Sequence, residues 1–374
     1  MGIREVLART APYLLGAAGL VMTLLAAQSF PDASGFAYDF DAYDTAARRV
    51  ATGQPLYPPG TAEAYNSGQY AGLYLYAPPL AVAVVPLTAL GPDAAALAWL
   101  WLRVAVLVAA IAILPIPRLA RGAVLAVAGL TFPVWYDLNI GNLSVALFAI
   151  SAVVWRYRDA PAGPIALAVA GTVRYPFVIV VVAWALARRF RAVAWTIGAG
   201  VVLGLLTLPV VGISTWFDYL ATLRALGDIT TGEHNLTLAT TAAALGLPGP
   251  QGAWVIAGVA IAGAAAAFAA LRRDAETATV VALTATILFS PFFHPHYLAQ
   301  LLVPAAFLAG RGQWWGLALP LLGWLPGEAM AVVAIVGIVA PLLPPGLGAI
   351  RPAGRPAAGA LDGGTGSAAG PTRP

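Results

Sequence analysis

The chain has 374 residues, 60% apolar and 10% charged, with a formal net charge of +4. An average soluble domain carries roughly 25% charged residues, so too few charges are present to clothe a water-soluble surface and a soluble two- or three-domain enzyme is excluded. Cysteine is absent, which excludes disulfides and thiolate metal sites, and all twenty basic residues are Arg.

Taken in chain order, Arg4 and Arg9 precede an apolar stretch from about Tyr13 to Phe30. A cleavable signal peptide, with Ala26 and Ala27 as its small-residue site, competes with an uncleaved first span. The stretch exceeds the usual signal-peptide core of about 7–15 residues, so a span is expected. Residues 31–76 are polar, with Asp32, Asp39, Asp41, Asp44 and Glu63 against Arg48 and Arg49, and read as the first extracytoplasmic loop. Residues 77–90 are apolar, but counting them as a crossing breaks the parity of the Arg clusters that follow. A re-entrant or surface-lying helix is therefore expected there.

Those clusters are Arg118/Arg121, Arg156/Arg158, Arg188/Arg189/Arg191, Arg272/Arg273, Arg311 and Arg351/Arg355. Taking each as cytoplasmic places spans near 94–114, 121–136, 141–155, 192–211, 253–271, 277–293, 297–310, 314–326 and 329–343. Several fall below the ~17 residues a straight helix needs to cross hydrocarbon. Residues 163–187 are interrupted by Arg174, Tyr175 and Pro176 and read as two half-length helices meeting at the outer face. The expectation is an all-α polytopic helical membrane protein of about eleven to thirteen transmembrane helices, both termini inside. It forms one multi-spanning domain over residues 1–350. The Gly/Ala/Pro-rich tail, 351–374, has too little apolar surface to offset its ordering entropy and is expected to be disordered. No phosphate-binding GxxxxGK[ST] sequence and no internal repeat occurs.

Under that topology the polar groups outside the basic clusters gather at one membrane face. They are Asp39, Asp41 and Asp44; Asp137, Asn139 and Asn142; Arg174 and Tyr175; Asp218, Asp228, Glu233, His234 and Asn235; and His294, His296 and Tyr297. Ionisable groups beside hydrocarbon are functional candidates because burying them there is costly. Each has a plainer reading: acids in a polar loop are ordinarily solvated, Arg174 can snorkel to headgroups, and Trp135, Tyr136, Trp216 and Phe217 suit an interfacial aromatic belt. Together they suit transfer of a sugar from a lipid phosphate. Arg174 and a protonated His296 would neutralise the departing phosphate, and a carboxylate opposite would take the proton of an attacking hydroxyl. His-x-His is too loose a spacing to argue a metal site, and no cofactor is called for because the phosphate ester already carries the activation.

Residues 39–57, DFDAYDTAARRVATGQPLY, and 76–87, YAPPLAVAVVPL, resemble glycosyltransferase family 87. Further likenesses follow in order: Gly141-Asn142 is similar to a Gly-Gln turn, with Asn in place of Gln. Arg174-Tyr175-Pro176 is similar to a basic residue followed by Pro, with Arg where Lys is expected. Asn235-Leu236-Thr237 is similar to an Asn-x-Ser element, and Ser290-Pro291 with His296-Tyr297 to a Ser-Pro…His-Tyr element. The resemblance implies the C-type glycosyltransferase fold and an inverting, polyprenyl-phosphate-mannose-dependent α-1,2-mannosyltransferase in the plasma membrane. It implies Asp39 as catalytic base and Arg174 and His296 at the donor phosphate. Asp44, Asn142, Asn235 and Tyr297 are then substrate-binding candidates. The implied partners are a polyprenyl-phosphate sugar donor, a glycolipid or lipoglycan acceptor and membrane lipid, with no nucleic acid. A transporter or flippase for a lipid-linked saccharide, and a non-catalytic scaffold, are the alternatives from other classes.

Overall fold

The computed structural model describes residues 3–69, 72–225, 235–272, 274–290 and 293–344. The expected disordered tail, the basic residues Arg273, Arg351 and Arg355, and Asp228, Glu233, His234 and Pro291 lie outside the described residues.

Within them the fold is all helical. In chain order the helices are α1 (Ile3–Ser29), α2 (Tyr38–Ala51), α3 (Thr61–Asn66), α4 (Pro78–Val84), α5 (Pro92–Ile113), α6 (Arg118–Ala128), α7 (Phe132–Ile140), α8 (Ser144–Arg156) and α9 (Ala162–Val173). They continue as α10 (Val178–Leu186), α11 (Phe190–Val211), α12 (Ser214–Ala225), α13 (Leu238–Ala244), α14 (Gln251–Leu271), α15 (Ala275–Ala285), α16 (Leu302–Gly310), α17 (Ala318–Leu321) and α18 (Met330–Val339). Short 3-10 turns join several of them. Proline begins many segments, at Pro78, Pro92 and Pro295, where the missing N–H is one of the helix's unpaired donors anyway.

Four helices are long and apolar enough to cross a bilayer unaided: Arg9–Asp32, Pro92–Ile113, Phe190–Val211 and Gln251–Leu271. A fifth results if α6 and α7, bent by 62° at their junction, form one broken span. Only 17% of the residues in the apolar window of the first and 11% in that of the third are buried within the protein, and uncovered apolar surface of this kind suits contact with lipid. The protein is a polytopic helical membrane protein. The rest of the apolar sequence is divided into shorter pieces of 10–17 residues, as the short expected spans imply, among them Ser144–Arg156, Ala162–Val173 and Ala275–Ala285. Pro176 and Pro295 lie at two of the breaks, because a proline removes a helix donor and disfavours the helical conformation of the residue before it. The region expected as a span at 314–326 comprises 3-10 turns around the four-residue α17.

The core runs through the faces of α5, α8, α10, α15, α16 and α18, with Trp155, Trp184 and Phe307 among its largest buried side chains. α1 lies along α6, and glycines make the approach possible. A Cβ on Gly19 would sit 2.4 Å from the Leu125 carbonyl, and one on Gly122 would sit 2.3 Å from the Pro12 carbonyl oxygen. Small residues let membrane helices approach backbone to backbone, where dispersion replaces the hydrophobic effect as the association force.

The two ends of the bundle differ. At one end arginines bind the exposed carbonyls of helix termini: Arg121 donates to Leu114, Arg156 to Ile113 and Arg189 to Arg158. Trp155 donates to Glu276, which Arg311 also reaches, so the ends of α8, α15 and α16 meet there. At the other end, the polar segment after α1 is no open loop. It folds as the amphipathic α2, whose Phe40, Tyr43, Ala46 and Ala47 pack with Leu56, Tyr57, Tyr74, Leu80 and Trp99 in a second, smaller apolar cluster.

Candidate active site

The site begins at the turn between α7 and α8. Helix α7 stops at Gly141, whose φ of +84° is a left-handed conformation open to glycine. The lack of a side chain also matters, since a Cβ here would lie 2.6 Å from the Cβ of Phe40. This close approach brings α2 onto the turn. Phe40 stacks on Trp99 with ring centroids 5.4 Å apart, the Trp99 indole N–H donates to the Gly141 carbonyl at 2.8 Å, and the Ala37 N–H donates to the Asn139 carbonyl at 2.8 Å.

With α2 seated, Asp39 meets Asn142. The Asn142 Nδ2 donates to Asp39 Oδ2 at 2.7 Å, while its Oδ1 accepts the Leu143 N–H at 2.6 Å. That backbone donor fixes which way the amide points, so the carboxylate receives the NH₂ group. Burial raises the Asp39 pKa above the usual aspartate range; the Asn142 bond and the charge of Arg103 oppose the rise without cancelling it. The other acids of this region are engaged elsewhere. Asp44, buried on α2, accepts from Arg48 at 2.7 Å, and Arg48 continues to the carbonyls of Thr88 and Leu90. Asp41 is exposed. Asp137 accepts the N–H groups of Ser144 and Val145 at the start of α8 and pairs with Arg103 at 3.3 Å.

The basic side comes from two breaks in the helices. Arg174, extended between α9 and the Tyr175–Phe177 turn, is 9% exposed, and its guanidinium carbon stands 3.4 Å from the centre of the Tyr297 ring. That is a cation–π contact in an almost closed setting. Its Nη2 has no hydrogen-bond partner. His296, 4% exposed, packs edge-on to Tyr297 at 4.6 Å, parallel to His294 at 5.6 Å and against Tyr136 at 5.9 Å. Neither of its ring nitrogens has a partner. Asn235 supports this segment from behind: its Oδ1 accepts the Phe293 N–H at 2.8 Å, and the Leu236 N–H donates to the Phe293 carbonyl at 2.7 Å.

The acidic and basic sides share one neighbourhood. The Asp39 charge acts on the phenols of Tyr76, Tyr136 and Tyr297, and the Arg174 charge acts in the opposite sense on Tyr76 and Tyr297. Tyr76 also accepts a 3.1 Å hydrogen bond from the Tyr43 hydroxyl. Asp39, Asn142, Arg174, His296 and Tyr297 therefore gather, with Asn235 one layer behind; Asp44 is held apart by Arg48. Burial, reinforced by His294 and Arg174, pushes the His296 pKa well below its usual value.

Three participants escaped the sequence reading: Tyr76, Tyr136 as more than interfacial decoration, and Arg103. Only Arg103 carried a usable signal, since a lone Arg in the middle of a 22-residue apolar helix is costly unless paired. Two cavities lined by described residues lie elsewhere. One is a groove of about 460 Å³ between α13 and α18, and the other a pocket of about 210 Å³ lined by Arg49, Pro58 and Tyr74.

The sequence model of glycosyltransferase family 87 matches residues 74–295, more than half of the chain. The match contains Asn142, Arg174 and Asn235; Asp39 precedes it and His296 follows its last residue. No curated protein and no solved structure matches the chain.

Proposed function

The chain belongs to glycosyltransferase family 87 and is a membrane glycosyltransferase, and from that premise we propose that it moves a hexose, mannose being the expected one, from a polyprenyl phosphate to a hydroxyl of an envelope glycolipid or lipoglycan. Asp39 acts as general base. The acceptor oxygen attacks the anomeric carbon of a β-linked donor as Asp39 takes its proton. The bond from that carbon to the phosphate oxygen breaks, and the phosphate leaves with the electron pair. One displacement inverts the centre and gives an α-linked product, α-1,2 by resemblance to the family. The site works at the extracytoplasmic face of the plasma membrane.

One observation carries this reading. A carboxylate of raised pKa, held by Asn142, shares the neighbours Tyr76, Tyr136 and Tyr297 with a cation and an imidazole that are buried yet keep unpartnered nitrogen atoms. Buried polar atoms without partners cost about 1–3 kcal/mol each, and a lipid phosphate between Arg174 and His296 would satisfy them. The raised pKa makes Asp39 a stronger base than a solvated aspartate. Tyr297 keeps the guanidinium in place, and the approaching anion would raise the His296 pKa so that the ring donates from both nitrogens. No metal enters these steps.

Purified protein in detergent, given polyprenyl-phosphate mannose and a phosphatidylinositol mannoside, should form a new glycosidic bond, read by mass spectrometry. The competing flippase reading draws on the helix broken at Arg174–Pro176, a feature that transporters use at their binding sites. A flippase makes no bond in that assay, so saccharide movement across vesicles without product would replace the enzyme reading.

A further inference from the structure

Helix α5 presents Trp99 and Arg103 four residues apart, hence on one face, one turn above the other. Both reach the same target, the turn that ends α7 and begins α8. Trp99 takes the Gly141 carbonyl at 2.8 Å. Arg103 Nη1 donates to the carbonyls of Asp137 at 2.7 Å and Asn142 at 3.0 Å and to Asp137 Oδ2 at 3.3 Å; its Nη2 donates to the Leu138 carbonyl at 2.8 Å. The Leu138 carbonyl lies in the last turn of α7, where the helix offers it no donor; the Asp137 carbonyl also accepts the Gly141 and Asn142 N–H groups, and Asn142 follows the helix end. A buried guanidinium is an expensive way to cap a helix, since simpler caps such as the Gly141 conformation are already present.

What distinguishes this turn is its load. Asn142 holds the Asp39 carboxylate at 2.7 Å through its side chain while Arg103 holds its main-chain carbonyl. We infer that Trp99 and Arg103 are positioning residues for the transfer reaction: from inside a membrane-spanning helix they grip the Gly141-Asn142 turn and thereby aim the Asp39 base. Lys cannot replace Arg here, because a single ammonium cannot serve three main-chain carbonyls and a carboxylate spread over six residues, as the planar fork does. The inference rests on Asp39 being the base.

The test separates geometry from charge. Arg103→Lys keeps the cation and loses the fork, Arg103→Gln keeps donors and loses the cation, and Arg103→Met/Asp137→Asn removes both charges so that no unpaired ion is left buried. Wild type and Asp39→Asn are assayed beside them in detergent. Arg103→Lys should lower kcat about a hundredfold, the scale of a misplacement of about 1 Å, with donor KM close to wild type. The groups facing Asp39 are Tyr38 and Tyr43 of its own helix, Tyr76, Tyr136 and Asp137 of α7, Arg103 of α5 and Tyr297. Arg103 is the cation that lowers the Asp39 pKa. Arg103→Gln should therefore move the acid limb of the kcat profile to higher pH, and Arg103→Lys should leave it in place; a role in folding alone would lower the thermal transition of Arg103→Lys and leave kcat per folded enzyme unchanged. If Arg103→Lys does not fold, the double variant decides, with kcat depressed and a preserved thermal transition expected. Wild-type kcat in Arg103→Lys or in the double variant, with Asp39→Asn inactive, overturns the positioning role alone. An active Asp39→Asn overturns the base assignment and this inference with it.

Discussion

Asp39 and His296 both sit in surroundings that oppose their charge, and the two have opposite consequences. For Asp39 the folded-state pKa is raised by burial. A raised pKa means that its contribution to stability is present below the ordinary aspartate value and lost as pH rises through the folded value. At neutral pH the ionised carboxylate therefore costs stability, which on the proposed mechanism is the counterpart of a stronger base. Asp39→Asn should abolish transfer and raise the thermal transition in detergent at pH 7.5, because the amide can still meet Asn142 without burying a charge. A lower transition, or retained transfer, would contradict that account. For His296 the pKa is depressed, first by burial and then by His294 and Arg174. An anionic phosphate beside the ring reverses the balance, so donor binding should take up a proton. Between the free and bound pKa values the donor KM should then rise with pH by up to about tenfold per unit. His296→Gln should flatten the profile, and isothermal titration in buffers of different ionisation heat would read the proton directly. A donor KM insensitive to pH in the native enzyme would exclude that role.

Between residues and the bundle stands the turn that joins α7 to α8, where several weak sequence features become one device. Gly141-Asn142 was legible as a turn. Its function depends on two approaches that no local pattern encodes: Phe40 of α2 pressing on Gly141 and the Arg103 fork holding the carbonyls. Long-range contacts of this kind are set by packing, which is why Arg103 passed as one more charge in a hydrophobic run. The breaks at Arg174–Pro176 and before His296 were legible because proline marks them. The length of each crossing was not, since composition alone does not tell a straight span from two pieces joined at an angle, as α6 and α7 are at 62°. Gly141→Ala tests the element. A residue with a side chain costs about 1–2 kcal/mol in the left-handed conformation, and forcing a methyl group onto Phe40 at 2.6 Å adds about 1–3 kcal/mol of overpacking. The variant should melt earlier and lose most of its transfer rate, because relief requires α2 to lift and carry Asp39 with it. An unchanged melting temperature would mean that the α2 contact is looser than described.

The bundle as a whole has a polarity that its arginines mark. Arg121, Arg156, Arg158, Arg189 and Arg311 occupy one end, bound to helix-terminal carbonyls and to Asp159, Asp274 and Glu276. Asp39, Arg174 and His296 occupy the other. The short helices α8, α9 and α16 connect the two ends: α8 runs from the Asn142 turn to Arg156, α9 ends beside Arg174, and α16 ends at Arg311. On the proposed orientation, in which the arginine end faces the cytoplasm as the excess of basic residues in cytoplasmic segments favours, the sugar chemistry occurs outside. The absence of cysteine makes this directly testable, because any single introduced thiol is the only one in the chain. Asp41→Cys and Tyr175→Cys stand at exposed positions near the site, and Arg156→Cys and Arg311→Cys at exposed positions of the basic end. In intact cells a membrane-impermeant maleimide should label the first pair and spare the second until the membrane is opened. Labelling of Asp41→Cys and Tyr175→Cys from opposite sides would separate Asp39 from Arg174 across the bilayer, and no single lipid phosphate could then meet both.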